Sequence, residues 1–209
     1  MSIAERLAQA RLYLVIDAEA AERVVPAALD GGVDLVQLRE KSASDDEILE
    51  IGRRLRDLCH EHGALFIVND RSDLALACDA DGVHVGQDDM PLDEARALMG
   101  HQRIVGSSTH SPEQVDAALR SGADYFAVGP VYATPTKPGR PAVGLELVRY
   151  AATHSTAKPW FAIGGIDESN VGDVARAGAT RIVVVRAIRN ADDPRAAAAA
   201  LRLEESHVH

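Results

Sequence analysis

Residues 111–130 read SPEQVDAALRSGADYFAVGP, and this stretch holds a complete helix-to-strand unit. Ser111 precedes Pro112 and Glu113, so a capping hydroxyl stands before a proline at the first helical position, where the missing N–H is harmless. An Ala/Leu-rich segment follows and stops at Gly122-Ala123, a helix-ending signal. The chain then enters the short apolar run Tyr125–Pro130, which reads as a strand.

The same punctuation recurs outward in both directions. Gly-Ala precedes a new strand again at Gly63-Ala64 and Gly178-Ala179, and Gly31-Gly32 and Gly100 end other helical segments. Ser44 and Glu47 form a capping box ahead of Ile48, Leu49, Ile51 and Leu55. Asp93–Met99 and Glu168–Ala177 are shorter helical patterns, and the alanines 196–200 belong to a last helix. Eight apolar runs alternate with these segments: Leu12–Asp17, Leu35–Lys41, Leu65–Asp70, Gly82–Gly86, Arg103–Thr109, Tyr125–Pro130, Trp160–Ile166 and Arg181–Ile188. Eight unbroken β–α alternations predict a closed parallel (β/α)8 TIM barrel. An open doubly wound sheet is the runner-up, but its glycine-rich first turn is absent, because the first turn here is Asp17-Ala18-Glu19-Ala20. The expectation is one domain over residues 1–209, with the barrel core at about 12–203 and a frayed tail.

Composition agrees. Hydrophobic residues make up 46% of the chain but aromatics only 4%, so the core must be built mainly from Ala, Val, Leu and Ile, which suit buried parallel strands. A net charge of −10 argues against a nucleic-acid-binding face. Cys59 and Cys78 fall in predicted helices without metal-type spacing and read as reduced thiols. His207 and His209 in the tail read as incidental rather than as a metal site. The N-terminus lacks an apolar signal segment and no run reaches membrane-spanning length, so a cytoplasmic location without membrane partners is expected. Oligomeric state is left open.

In such a barrel, polar residues at the C-terminal strand ends carry the chemistry. Gln37, Arg39 and Lys41 alternate onto one face of the second strand. Two cations side by side call for an anion, either a ligand or neighbouring carboxylates such as Asp70. Asn69-Asp70 ends the third strand, and Gly86-Gln87-Asp88-Asp89 follows the fourth. Asp70 with Asp88 or Asp89 could hold Mg2+ alongside phosphate oxygens. They could equally cap helices. The Ser107-Ser108-Thr109 hydroxyls could serve a phosphate, although spacing favours a helix cap. Thr134, Thr136 and Lys137 lie on a long loop after the sixth strand. Gly164-Gly165 and the Val185-Arg186 end of the eighth strand stand where these barrels bind phosphate. Two anion-binding halves follow, for two anionic ligands or for one with two phosphates.

The motifs VQLREK (36–41), VND (68–70), HVGQDD (84–89), GPVY (129–132) leading to TPTK (134–137), and IGGI (163–166) resemble the thiamine-phosphate synthase family, in order, from Tyr13 to Ile188. The resemblance implies a transferase of thiamine biosynthesis. It would join a hydroxymethylpyrimidine diphosphate to a hydroxyethylthiazole phosphate, giving thiamine phosphate and pyrophosphate. Gln37, Leu38, Arg39, Glu40, Lys41 and Asn69 would then bind the pyrimidine diphosphate, with Ser108 and Lys137. Asp70 and Asp89, rather than Asp88, would hold Mg2+. Thr134, Pro135, Thr136, Gly165, Val185 and Arg186 would cradle the thiazole phosphate. Arg39, Lys41 and Lys137 would stabilise the leaving pyrophosphate during a dissociative step. His84 would lie near the pyrimidine, though buried packing accounts for it equally well. A thiazole tautomerase paralogue would lack the Asp70/Asp89 pair and the diphosphate cluster. A non-catalytic phosphate-binding barrel would need neither.

Overall fold

The computed structural model describes residues 1–134, 141–154 and 158–203. Helix α1 (Ile3–Gln9) precedes strand β1 (Leu12–Ile16). Then follow α2 (Ala18–Asp30), β2 (Leu35–Leu38), α3 (Asp45–Glu61), β3 (Leu65–Asn69), α4 (Ser72–Ala77) and β4 (Gly82–Val85). The second half runs α5 (Leu92–Met99), β5 (Ile104–Thr109), α6 (Pro112–Arg120), β6 (Tyr125–Val128), α7 (Gly144–His154), β7 (Trp160–Ile163), α8 (Val171–Arg176), β8 (Ile182–Val184), α9 (Arg186–Arg189) and α10 (Pro194–Leu201). The eight strands pair in sequence order, all parallel, and β8 returns to β1 with Leu12 opposite Ile182, so the barrel is closed.

Alternation along each strand divides the core into two shells. On β1, Leu12, Leu14 and Ile16 join the outer shell against the helices, while Tyr13 and Val15 face the interior. The interior shell also holds Leu35, Leu65, Ile67, Ile104, Tyr125, Phe161 and Val183. Leu7 and Ala10 of the α1 segment pack into that same interior shell. Arg6 donates to the Ala64 carbonyl at 3.1 Å, just ahead of β3, so α1 closes the N-terminal end of the barrel. Gly106 makes room inside: a Cβ there would lie 2.6 Å from the Tyr125 hydroxyl oxygen, overlapping that ring.

The expected punctuation is present. Ser44 and Glu47 form the α3 capping box, and Ser111 caps α6 with Pro112 at its start. Gly32, Gly63, Gly100 and Gly178 all take positive φ after their helices. Gly122 is an exception, because α6 ends at an extended Ser121. Several boundaries shift: β2 stops at Leu38 rather than Lys41, and β7 at Ile163 rather than Ile166. The apolar run 181–188 splits into β8 and the short α9, and α8 starts at Val171 rather than near residue 168. Cys59 is buried within α3, but Cys78 is the residue capping α4 at its C-terminus rather than part of the helix. The tail expected to fray, from residue 204, lies outside the described residues. No described helix is long and apolar enough to cross a membrane.

Candidate active site

A cavity of about 330 Å³ opens among the C-terminal strand ends. Its wall includes Gln37 of β2, Arg39 just beyond that strand, Asn69 of β3, Ser108 of β5, Thr134, Gly165, Val185 and Arg186. Eight residues expected from sequence are thus brought together. A smaller depression of about 230 Å³ adjoins it, lined by Glu40, Lys41 and Asp17 and sharing Arg39, Val15 and Val185. Arg39 therefore stands in the wall between the two.

The β2 strand end explains this placement. The Arg39 N–H donates to the Ile16 carbonyl at 2.8 Å, which carries the strand geometry past Leu38. Gln37 and Arg39 consequently point inward, while Leu38 is buried in the outer shell. A ligand contact from Leu38 is therefore confined to its backbone. Beyond Arg39 the chain turns around the Glu40 carboxylate. That group accepts from the N–H groups of Ala18, Lys41 and Ser42 and from the Ser42 hydroxyl, at 2.7–3.1 Å. Burial alone would raise the Glu40 pKa, but these four donors outweigh it and hold it at about 2. Glu40 thus shapes the loop that presents Lys41. Arg39, Lys41 and Arg186 form no ion pair among the described residues, so the carboxylate partners considered for the two β2 cations do not take them up.

Asp70 follows the cavity-lining Asn69 directly, and its φ of 61° turns the chain sharply off the strand. Its N–H donates to the carbonyl of His84 on neighbouring β4. Asp89 folds back so that its Oδ2 accepts from the Gly86 N–H at 2.9 Å, a close approach that a side chain at position 86 would block. Neither carboxylate is in the cavity wall itself. Asp70 and Asp89 are carboxylates following the adjacent strands β3 and β4, and no group of three or more acidic, His or Cys residues that could hold a metal occurs among the described residues; oxygen donors so few suit a hard cation that completes its shell with phosphate oxygens and water. The donor set fits Mg2+.

Across the mouth, Gly164 and Gly165 have φ of 110° and 65°. A Cβ on Gly164 would come within 2.6 Å of Pro130 Cβ, and one on Gly165 within 2.8 Å of Tyr132 Cβ. Glycine is required there, and it leaves a bare backbone facing the cavity. The first turn of α9 lies beside it, with Arg186 and Ala187 in the wall. The first N–H groups of a helix lack intrahelical partners.

The strand-five hydroxyls do not cap a helix. Ser111 does that, Thr109 donates to the Ala127 carbonyl at 2.9 Å, and Ser108 lies 2.9 Å from His84 Nε2. His84 is buried, and it also lines the cavity. The sequence reading missed Tyr13, whose inward position on β1 follows from strand alternation, and His110 and Asp167, which also line the wall. Pro135, Thr136 and Lys137 lie outside the described residues.

The family model for thiamine monophosphate synthase matches residues 12–188. The chain belongs to the thiamine monophosphate synthase family. A thiamine-phosphate synthase of Saccharopolyspora erythraea is 53% identical, over 96% of this chain and 95% of that one. A thiamine-phosphate synthase of Gloeobacter violaceus is 60% identical over 90% of this chain, which spans only 55% of that longer relative. The solved thiamine phosphate pyrophosphorylase of Pyrococcus furiosus superposes with a TM-score of 0.83 at 36% identity, covering 96% of both chains. The fold is thus shared with that solved pyrophosphorylase over nearly the full length of both chains.

Proposed function

We infer that this chain is a transferase joining the diphosphate of hydroxymethylpyrimidine to the phosphate of hydroxyethylthiazole, with release of thiamine phosphate and pyrophosphate. The observation that carries this reading is the set of cations at one cavity mouth, Arg39, Lys41 and Arg186, none taken up by a described carboxylate. Arg39 shares the cavity wall with Asn69, the residue before Asp70, and Lys41 lines the adjoining depression, whereas Arg186 shares the wall with Gly164-Gly165. That division provides for two phosphorylated ligands.

The pyrimidine diphosphate would take the β2–β4 side, against Gln37, Arg39, Lys41, Asn69 and Ser108. The thiazole phosphate would take the β6–β8 side, against Thr134, Gly165, Val185 and Arg186. Lys137, Pro135 and Thr136 would act from the β6 loop. Asp70 and Asp89 would hold Mg2+, which when bound would supply Lewis-acid neutralisation of charge on the departing diphosphate. Arg39 and Lys41 donate to the oxygens on which that charge builds. Bond breaking then leaves a pyrimidinylmethyl cation, and the thiazole nitrogen attacks it. No strong base is required, only charge stabilisation and alignment. Asp70, Asp89, Arg39 and Lys41 together favour this reading over a tautomerase or a passive binder.

Incubation of the chain with both phosphorylated substrates and Mg2+ should yield thiamine phosphate and pyrophosphate in equal amounts, and EDTA should stop it. Absence of product from pure substrates would rule the reaction out. Product formation indifferent to EDTA would remove the metal.

A further inference from the structure

Five side chains from five strands form one hydrogen-bonded line through the barrel interior. Gln37 Nε2 donates to the Tyr13 hydroxyl. That hydroxyl lies 2.9 Å from the Tyr125 hydroxyl, which lies 2.9 Å from His84 Nδ1. His84 Nε2 then meets Ser108 Oγ at 2.9 Å. Tyr125 is fully buried and absent from the cavity wall, whereas the other four line it.

The line has a direction. An amide nitrogen only donates, so Tyr13 accepts from Gln37. Burial pushes the pKa of Tyr13 and of Tyr125 upward, so each phenol keeps its proton. With Tyr13 accepting from Gln37, the polarity in which every member of the line has both a donor and an acceptor runs from Tyr13 to Tyr125 and from Tyr125 to His84 Nδ1. The imidazole, accepting at Nδ1, carries its hydrogen on Nε2 and donates to Ser108 Oγ. The Ser108 hydroxyl proton is then directed away from His84. Reversing the sequence would make Tyr13 accept twice and leave its hydroxyl proton without a partner in the line.

We propose that Tyr125 is a positioning residue that holds His84 as the Nε2–H tautomer, so that Ser108 offers its hydroxyl proton to an anion in the cavity. The identity of that anion, a diphosphate, rests on the function proposed above. Tyr125 serves the site without touching it, because a phenol proton given to Nδ1 leaves the imidazole hydrogen on Nε2, facing Ser108.

The test reads the tautomer directly, by long-range 15N–1H correlation on the labelled full chain, with the His84 signals assigned by their loss in His84→Gln. The wild type should show His84 unprotonated at Nδ1 and protonated at Nε2. Tyr125→Phe keeps the ring, and with it the edge contacts to Tyr13 and Phe161. It should nonetheless lose the tautomer preference and bind inorganic pyrophosphate with Mg2+ about tenfold more weakly, ~1.4 kcal/mol. Tyr13→Phe leaves Tyr125 able to donate to His84 and should retain the tautomer, whereas a merely structural role would move both variants alike. A wild-type His84 protonated at Nδ1 overturns the proposal, as does a Tyr125→Phe variant with undiminished pyrophosphate affinity. If Tyr125→Phe does not fold, the wild-type and Tyr13→Phe spectra decide. The tautomer is read without turnover, so a failure of the transferase reading is seen separately in the product assay.

Discussion

The Asp70 N–H donates to the carbonyl oxygen of His84 at 2.8 Å, which ties the turn after β3 to the end of β4. The bond fixes the Asp70 backbone beside β4, the strand whose following loop carries Asp89. It does so at a φ of 61°, a conformation that Asp and Asn tolerate and most side chains do not.

Asp70→Asn is therefore the clean probe of metal binding, since it keeps the backbone and removes the charge. Turnover at saturating substrates should fall more than tenfold, with a higher Mg2+ requirement and an unchanged circular dichroism spectrum. Asp70→Ala should add a stability loss of about 1 kcal/mol from the left-handed backbone. An Asp70→Asn enzyme with wild-type Mg2+ dependence would show that this carboxylate does not hold the ion.

Arg39→Ala and Lys41→Ala should each lower turnover more than tenfold, ~1.4 kcal/mol or more in the barrier. Neither cation is engaged by a described carboxylate, so thermal unfolding should hardly change. Full activity in both variants would remove them from the reaction.

Gly165→Ala places a Cβ 2.8 Å from Tyr132 Cβ, at a φ of 65°. The KM for the thiazole phosphate should rise more than tenfold while that for the pyrimidine diphosphate changes little. Equal changes in the two KM values would contradict the division of the mouth into two halves.

Glu40 predicts a pH effect on the β2 loop. Its folded pKa is depressed from the ordinary 4.5 to about 2. A depressed carboxylate stabilises the fold above its ordinary value, and that contribution is lost as pH falls from about 4.5 toward about 2. The stability difference between wild type and Glu40→Gln should therefore be full at neutral pH and shrink across that window. A pH-independent difference in urea midpoint would refute it.

The barrel was legible because its signals are local. Ser44 with Glu47, Ser111 with Pro112, and the glycines at 63, 100 and 178 each act within a few residues of the boundary they mark. Strand alternation likewise put Gln37 and Arg39 on one face, although which face is the inner one is seen only in the closed barrel. What could not be read depends on distant partners. Tyr13 and Tyr125 are 112 residues apart, and only closure of the barrel brings their hydroxyls together. Ser108 looked like a cap because spacing shows the nearby helix but not His84 across the barrel. Glu40 fell within a ligand-binding motif, yet its oxygens accept from Ala18 as well as from its own loop. Asp70 and Asp89 could be chosen over Asp88 only through family resemblance.

The most direct measurement is a crystal structure of the chain with thiamine phosphate, pyrophosphate and Mg2+ bound. Pyrophosphate and metal should lie against Arg39, Lys41, Asp70 and Asp89, with the thiamine monophosphate group on Gly165, Val185 and Arg186. Both phosphate groups on one side of the mouth, or a metal bound away from Asp70 and Asp89, would contradict the account.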